Sequence, residues 1–164
     1  MTVNPACCTP ETPLEQVAKL MIQHDCGEIP VIDSAEQIVG VVTDRDIVCR
    51  VVAQRKNPLA YTAEICMSDP VITVPRETPI SEVLATMEKH QIGRVPVVDD
   101  EGRCAGMISQ SDVAWTGGER QVAELVREIS RDTGPAFREL ATESVVSRFS
   151  GVCDARTRAS DARL

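Results

Sequence analysis

Apolar residues recur every three or four positions in two separate segments of the chain, which is the spacing of one helix face. These positions are Leu14, Val17, Ala18 and Met21 in the first segment and Ile80, Val83, Leu84 and Met87 in the second. Each segment is followed by two short runs rich in β-branched residues, which are typical of strands. The runs are 29–33 and 38–42 in the first half and 95–99 and 105–108 in the second. A second helix is expected to begin near Thr43 and near Ser109, so the pattern predicts two α/β units.

The two units are copies of each other at an offset of 66 residues. Matched pairs include Glu11 and Glu77, His24 and His90, Asp33 and Asp99, Gly40 and Gly106, and Asp46 and Asp112. We expect a first strand at 5–8 and at 71–74, and helix stops at Gly27 and Gly93. Each unit therefore reads β-α-β-β-α. Because neither copy buries its sheet alone, the two repeats are predicted to pack around a pseudo-two-fold axis.

The chain divides into four predicted regions. They are a first repeat at 1–54, a linker at 55–66, a second repeat at 67–117 and a C-terminal helical extension at 118–164. Within the linker, a short connecting helix is expected at 62–67. The extension begins with a predicted helix from Glu119, whose apolar face consists of Val122, Leu125, Val126 and Ile129. A further helix is expected from Pro135, followed by a disordered tail over 154–164.

Composition narrows the classes of function. The chain has 164 residues, a net charge of −8 and only 2% aromatic residues, which argues against a general nucleic-acid or anionic-membrane surface. No apolar run has the length of a membrane span, and a cytoplasmic protein is expected. The seven cysteines contain no Cys-x-x-Cys pair. A metal or thiol site at Cys7 and Cys8 is disfavoured, because the sequence shows no ligand cluster, nearby base or resolving partner.

Each copy ends in Gly-x-x-[Ser/Thr]-x-x-Asp, with Thr43 and Asp46 in the first copy and Ser109 and Asp112 in the second. One interpretation is a capping box in which an Asp takes the place of the usual Glu. The other is a ligand site, because a hydroxyl at a helix N-terminus stands beside free backbone N–H groups that suit a phosphate. Both interpretations require the same helix start.

With these motifs, the chain resembles a tandem pair of CBS domains, also called a Bateman module, of the stand-alone bacterial or archaeal type. The resemblance rests on Met-Ser-Asp-Pro at 67–70, on the two runs containing Pro-Val, at 29–33 and 95–99, and on the two motif endings. It covers residues 1–117. A duplicated α/β fold is what it implies.

The resemblance also implies a ligand, because CBS pairs often bind AMP, ADP, ATP or S-adenosylmethionine between the repeats. Carried over by position, the implied ribose contacts are Asp46 and Asp112, the phosphate neighbours are Thr43 and Ser109, and the residues beside the base are Val71, Ile72 and Thr73. Because the chain is acidic, phosphates would also need cations, for which the candidates are Arg45, Arg50 and Arg94. The first copy has Glu28 at the position equivalent to Arg94, and the second copy has Ser111 at the position equivalent to Arg45. Two unequal clefts are therefore predicted.

We therefore expect a non-catalytic regulatory module that binds an adenosine nucleotide, forms a homodimer and acts on a regulated protein that the sequence does not identify. No catalytic residue and no metal site is predicted. The alternative is a structural CBS protein that dimerises or recruits a partner and binds no ligand, in which case both motifs are caps only.

Overall fold

The structure, a computed structural model, describes residues 1–116 and 119–130. In chain order its elements are β1 (Thr2–Val3), α1 (Leu14–Gln23), β2 (Glu28–Ile32), β3 (Ile38–Thr43), α2 (Asp44–Asp46), which continues as a π-helix (Ile47–Val52), a 3-10 turn (Pro58–Ala60), α3 (Ala63–Cys66), β4 (Val74–Pro75), α4 (Ile80–His90), β5 (Arg94–Val98), β6 (Cys104–Ser109), α5 (Gln110–Thr116) and α6 (Glu119–Ile129). The predicted α/β fold with two equivalent halves is confirmed. No helix in the described ranges is long and apolar enough to cross a membrane.

Both long helices end before the glycines that were the expected stops. The left-handed turn falls instead on Asp25, with φ 47°, and on its equivalent Gln91, with φ 55°. Gly27 and Gly93 serve another purpose. The Gly27 carbonyl accepts a hydrogen bond from the Asp44 backbone N–H at 3.2 Å, and the Gly93 carbonyl accepts one from the Gln110 backbone N–H at 2.9 Å. Each glycine therefore lies against the start of its repeat's second helix.

The two sheets exchange their first strands. β1 pairs antiparallel with β6 of the second repeat, with Thr2 opposite Met107. The equivalent position, Ser68, pairs with Val41 of the first repeat. The chain then crosses, and Val74 pairs in parallel with Val97 of the second repeat. Because these segments cross from one sheet to the other, only their ends are paired, and the predicted first strands at 5–8 and 71–74 are mostly irregular.

The approximate symmetry of the two repeats is visible where they meet. Gln37 forms a β-bridge with Arg103, which is the equivalent position 66 residues later. The Gln37 side-chain amide also donates a hydrogen bond to the Glu101 carbonyl at 3.1 Å. A residue can face its own equivalent only close to a two-fold axis, so the predicted pseudo-two-fold packing is confirmed.

Each repeat has its own aliphatic core, and each core is closed by a helix from outside the repeated unit. Ala63 and Cys66 of α3 are 0% exposed and pack in the first core, so this part of the predicted linker is buried. Leu125 of α6 is 0% exposed in the second core, where burial of a leucine contributes about 1.5–3 kcal/mol. The predicted helix from Glu119 is confirmed, but Val126 is 45% exposed. The expected helix from Pro135 and the tail lie outside the described residues.

Candidate functional site

The two motif endings form the same capping geometry. Asp46 donates its backbone N–H to Thr43 Oγ1 at 3.1 Å, while Asp46 Oδ2 accepts from the Thr43 backbone N–H at 2.9 Å and from the Thr43 hydroxyl at 2.6 Å. In the second repeat, Asp112 Oδ2 accepts from the Ser109 backbone N–H and hydroxyl, both at 2.8 Å. The capping box predicted from the sequence is therefore present twice. One carboxylate oxygen in each motif is committed to the cap.

The second oxygen of Asp46 faces Arg50, whose Nε lies 3.3 Å from Oδ1. The same guanidinium donates to the carbonyls of Cys66 and Met67, at 2.7 and 3.1 Å, and to the Ser68 hydroxyl at 2.9 Å. All three nitrogens of Arg50 are thus engaged within the protein. The sequence presented Arg50 as a candidate for phosphate binding, but the fold uses it to tie residues 66–68 to the first motif.

The second oxygen of Asp112 faces a different cation. The N-terminal ammonium of Met1 lies 3.1 Å from Asp112 Oδ1, and both groups are about 30% exposed. Partial burial raises the pKa of Asp112, but the hydrogen bonds from Ser109 and the nearby ammonium outweigh burial and leave the pKa below its ordinary value. The two motif carboxylates therefore form the same kind of cap, each in its own repeat, but have different counter-ions.

Val71, Ile72 and Thr73 lie on the segment that crosses between the sheets, and all three are half-buried. This segment begins at Ser68, which pairs with Val41 and so lies close to the end of β3, where the first motif starts. The three predicted base-flanking residues begin three positions after Ser68, which Arg50 links to the first motif. The equivalent stretch, residues 5–7, follows β1 and its pairing with β6.

Arg94 reaches from the second repeat to the first motif. A Cβ atom on Gly27 would lie 3.3 Å from Arg94 Nη2 and 3.1 Å from Asp44 Oδ2, so both side chains converge over this glycine. The packing therefore assigns Arg94 to the cleft at the first motif, a question that the sequence left open. Arg45, in α2, directly follows Asp44 and is exposed. The equivalent positions in the opposite repeats carry Glu28 in place of Arg94 and Ser111 in place of Arg45.

Glu28 adds a titratable acid to the same region. Burial raises the pKa of Glu28 to about 7, Arg94 acts to lower it and Asp46 raises it further. The sequence analysis identified Glu28 only as the residue equivalent to Arg94 and predicted no titration for it. Its partial burial between the repeats depends on tertiary packing, which no pattern in the sequence indicates.

A cavity of about 410 Å³ lies elsewhere, at the turn ends of the two hairpins. Its walls include Cys7, Glu36, Arg76, Arg103 and Cys104. None of the predicted ligand residues lines it. Among the described residues, no group of three or more His, Cys, Asp or Glu side chains is placed to hold a metal ion.

Comparison with known families agrees with the duplicated architecture. Residues 1–53 and 63–115 each match the family model of the CBS domain. The chain belongs to the CBS domain family. The second match begins at Ala63, the first residue of α3, so in family terms this helix opens the second CBS domain although it packs in the core of the first.

The CBS pair is similar to several known proteins. An uncharacterized protein of Methanopyrus kandleri is 36% identical over 103 residues, which span 63% of this chain and 52% of that protein. Hypoxic response protein 1 of Mycobacterium tuberculosis is 32% identical over 129 residues, which span 79% of this chain and 90% of that protein. The solved CBS domain pair of protein MJ0100, in complex with 5-methylthioadenosine and S-adenosyl-L-methionine, is 30% identical, has a TM-score of 0.64 and covers 71% of this chain and 90% of its own.

Proposed function

We propose that this CBS pair is a non-catalytic regulatory module that binds an adenosine-containing ligand, AMP, ADP, ATP or S-adenosylmethionine, between its repeats. The observation that carries the proposal is the first motif end, where a carboxylate and a hydroxyl stand at a helix N-terminus and Arg94 of the other repeat lies near Gly27 and Asp44. The likeness to a CBS pair solved with two adenosine-containing ligands supports this class of ligand.

The proposed roles of the motif residues follow from their chemistry. Asp46 Oδ1 lies 3.3 Å from Arg50 Nε, and a carboxylate oxygen accepts more than one hydrogen bond, so it retains capacity for ribose hydroxyls. Each such charge-assisted bond contributes about 1.5–3 kcal/mol. Thr43 and Ser109 stand at helix starts, where phosphate oxygens are favoured. The base is proposed to lie against Val71, Ile72 and Thr73.

The cleft at the first motif is proposed to be the stronger site. Arg94 comes from the second repeat and converges with Asp44 of the first over Gly27. A phosphate held there by Arg94 and Arg45 would contact both repeats. Ligand binding would then favour one relative orientation of the repeats, by no more than the difference in affinity for the two orientations. A regulated partner of the proposed homodimer would respond to that change.

Isothermal titration calorimetry with adenosine, AMP, ATP and S-adenosylmethionine tests the proposal. Asp46→Asn keeps an oxygen for the cap but removes the charge, and we expect about a 10- to 150-fold loss of affinity for every adenosine ligand. Exposed Asp100→Asn is the matched control and should bind as the unchanged protein does. Absence of binding for all four compounds would overturn the proposal.

Arg94→Met separates phosphate recognition from base and ribose recognition. We expect it to weaken ATP by about tenfold or more while adenosine binding is unchanged, because only the phosphates need the cation. Arg55→Met, in the exposed loop after the π-helix, is the control. Equal losses for ATP and adenosine would show that Arg94 supports the cleft rather than the phosphate.

A structural role is the second candidate function, favoured by one observation. Each oxygen of both motif carboxylates already has a partner within the chain, in the cap and at Arg50 or the N-terminal ammonium. In that case the double variant Asp46→Asn, Asp112→Asn should keep its sedimentation coefficient and its partners. Calorimetric binding of any of the adenosine compounds, sensitive to Asp46→Asn, would exclude the purely structural role.

A further inference from the structure

The cavity of about 410 Å³ at the turn ends of the hairpins is formed by both repeats. Glu36 comes from the turn between β2 and β3, Arg76 follows β4, and Asn4 directly follows β1. Further walls are apolar and consist of Pro5, Ile32 and Ala105. A cavity of this volume is in the range of small-molecule sites, which combine apolar walls with a few polar groups.

Two charged residues of this cavity are committed to the turn that carries them. Arg103 Nε donates to Asp99 Oδ2 at 2.9 Å, and Arg103 Nη2 donates to Glu101 Oε2 at 2.7 Å. Asp99 Oδ1 accepts from the backbone N–H groups of Glu101 and Arg103, at 3.0 and 2.8 Å. Because these contacts hold the turn between β5 and β6, we assign Asp99 and Arg103 to the wall of the cavity.

The other two charged residues of the cavity have no such partner. Among the residues that the structure describes, neither the Arg76 guanidinium nor the Glu36 carboxylate forms a hydrogen bond or an ion pair, and the two do not pair with each other. An unpaired cation and an unpaired anion therefore line the same cavity.

Glu36 occupies a backbone position that disfavours glutamate. Its φ is 62°, and the equivalent residue 66 positions later is Gly102, with a φ of 80°. Glycine adopts this left-handed backbone readily, whereas a residue with a Cβ atom is strained in it. The first repeat thus retains an acid at a strained turn position. Strained residues of this kind concentrate at functional sites.

The fold of a repeat does not require these two charges. The residue equivalent to Arg76 is Pro10, and the residue equivalent to Glu36 is Gly102. Both hairpins nevertheless close with the same turn hydrogen bond, accepted by Asp33 Oδ1 in the first repeat and by Asp99 Oδ1 in the second. Arg76 and Glu36 are therefore additions to the structure that the two repeats have in common.

We propose that this cavity binds a free α-amino acid with an apolar side chain. The α-carboxylate pairs with the Arg76 guanidinium, whose fork of N–H groups matches a carboxylate, and the α-ammonium group pairs with the Glu36 carboxylate. The Asn4 amide adds a donor for the carboxylate. A ligand with one charge would leave the other residue unpaired. The inference does not depend on adenosine binding, since the motif residues do not line this cavity.

NMR titration of the isotope-labelled full chain tests the proposal, with leucine as the probe. We expect saturable binding with a Kd of about 1 mM or tighter, since Arg76 and Glu36 are both exposed and exposed ion pairs are individually weak. Backbone amide signals of residues 36–37 and 103–105 should shift, and those of residues 43–46 should not. Isocaproate, which lacks the ammonium group, and isoamylamine, which lacks the carboxylate, should each bind about tenfold more weakly or worse.

Substitutions separate binding from folding. Arg76→Met and Glu36→Gln should each weaken leucine binding about tenfold, because each removes one charge-assisted contact. Glu77→Gln, at the exposed neighbouring position, is the matched control and should bind as the unchanged protein does. Glu36→Gly copies the turn of the second repeat. It should weaken leucine binding while raising the urea midpoint of unfolding, because the backbone strain is relieved.

Three results would contradict the proposal. The first is no shift of the cavity signals with leucine at about 20 mM, well above the expected Kd. The second is a double variant Arg76→Met, Glu36→Gln that binds leucine as the unchanged protein does. The third is isocaproate binding as tightly as leucine, which would exclude a zwitterionic ligand. Shifts confined to residues 43–46 would place leucine at the first motif and would overturn the proposal as well.

Discussion

Glu28 is expected to make the stability of this protein fall as the pH rises. Its carboxyl group is half-buried between the repeats, where burial raises its pKa from an ordinary value of 4.5 to about 7, with Arg94 acting against the shift. Below pH 4.5 the folded and unfolded states both carry the neutral acid, so the group imposes no penalty. Between pH 4.5 and about 7 the unfolded state releases its proton first, and the free energy of unfolding decreases.

The size of this effect follows from the two pKa values. A difference between 4.5 and about 7 corresponds to about 3 kcal/mol once the pH exceeds both. Glu28→Gln keeps the shape of the neutral acid and has no proton to lose. Relative to the unchanged protein, its free energy of unfolding should therefore gain about 2.5 kcal/mol between pH 5 and pH 8.

Urea denaturation followed by circular dichroism at pH 5 and pH 8 measures this gain. With an m value of about 2 kcal/mol/M, the midpoint of Glu28→Gln should rise relative to the unchanged protein by about 1.2 M more at pH 8 than at pH 5. Glu11→Gln, at an exposed position of the same repeat, is the control and should show no such pH dependence. A Glu28→Gln effect of equal size at both pH values would refute the reasoning.

Two further predictions concern packing and are also measured by urea denaturation. Arg50→Met should lower the free energy of unfolding by about 3 kcal/mol, because a poorly exposed carboxylate and three acceptors lose their donor, whereas exposed Arg45→Met should change it by less than about 0.5 kcal/mol. Equal effects would mean that the Arg50 contacts add nothing to stability. Leu125→Ala should cost about 2–5 kcal/mol and Val126→Ala less than about 1 kcal/mol. A neutral Leu125→Ala would contradict the packing of α6 on the second core.

Local regularities of the chain predicted much of this fold. The offset of 66 residues correctly paired α1 with α4 and the two hairpins with each other. The capping boxes at Thr43 and Ser109 were readable because a cap depends on residues only three positions apart. The exchange of first strands was not readable, since a two-residue strand such as β1 has no period that identifies its partner.

In the candidate site, too, the sequence predicted which side chains are candidates, and tertiary packing decided where each one lies. Both Arg50 and Arg94 were candidates for a phosphate on the sequence. Packing separates them, because Arg50 is surrounded by carbonyls of its own chain and Arg94 crosses to the other repeat. Cys7 and Cys104, which line the same cavity, are too far apart in sequence for any spacing rule to associate them.

The sequence by itself determined the family, the duplicated α/β units, their caps and the difference between the two copies at Glu28 and Arg94, since all of these depend on residue type and short-range spacing. Only the tertiary structure decided which motif receives Arg94, why the pKa of Glu28 is raised, and which residues line the cavity at the hairpin turns. Each of these depends on how two repeats face each other across a pseudo-two-fold axis, and contacts between distant segments are set by packing rather than by local pattern.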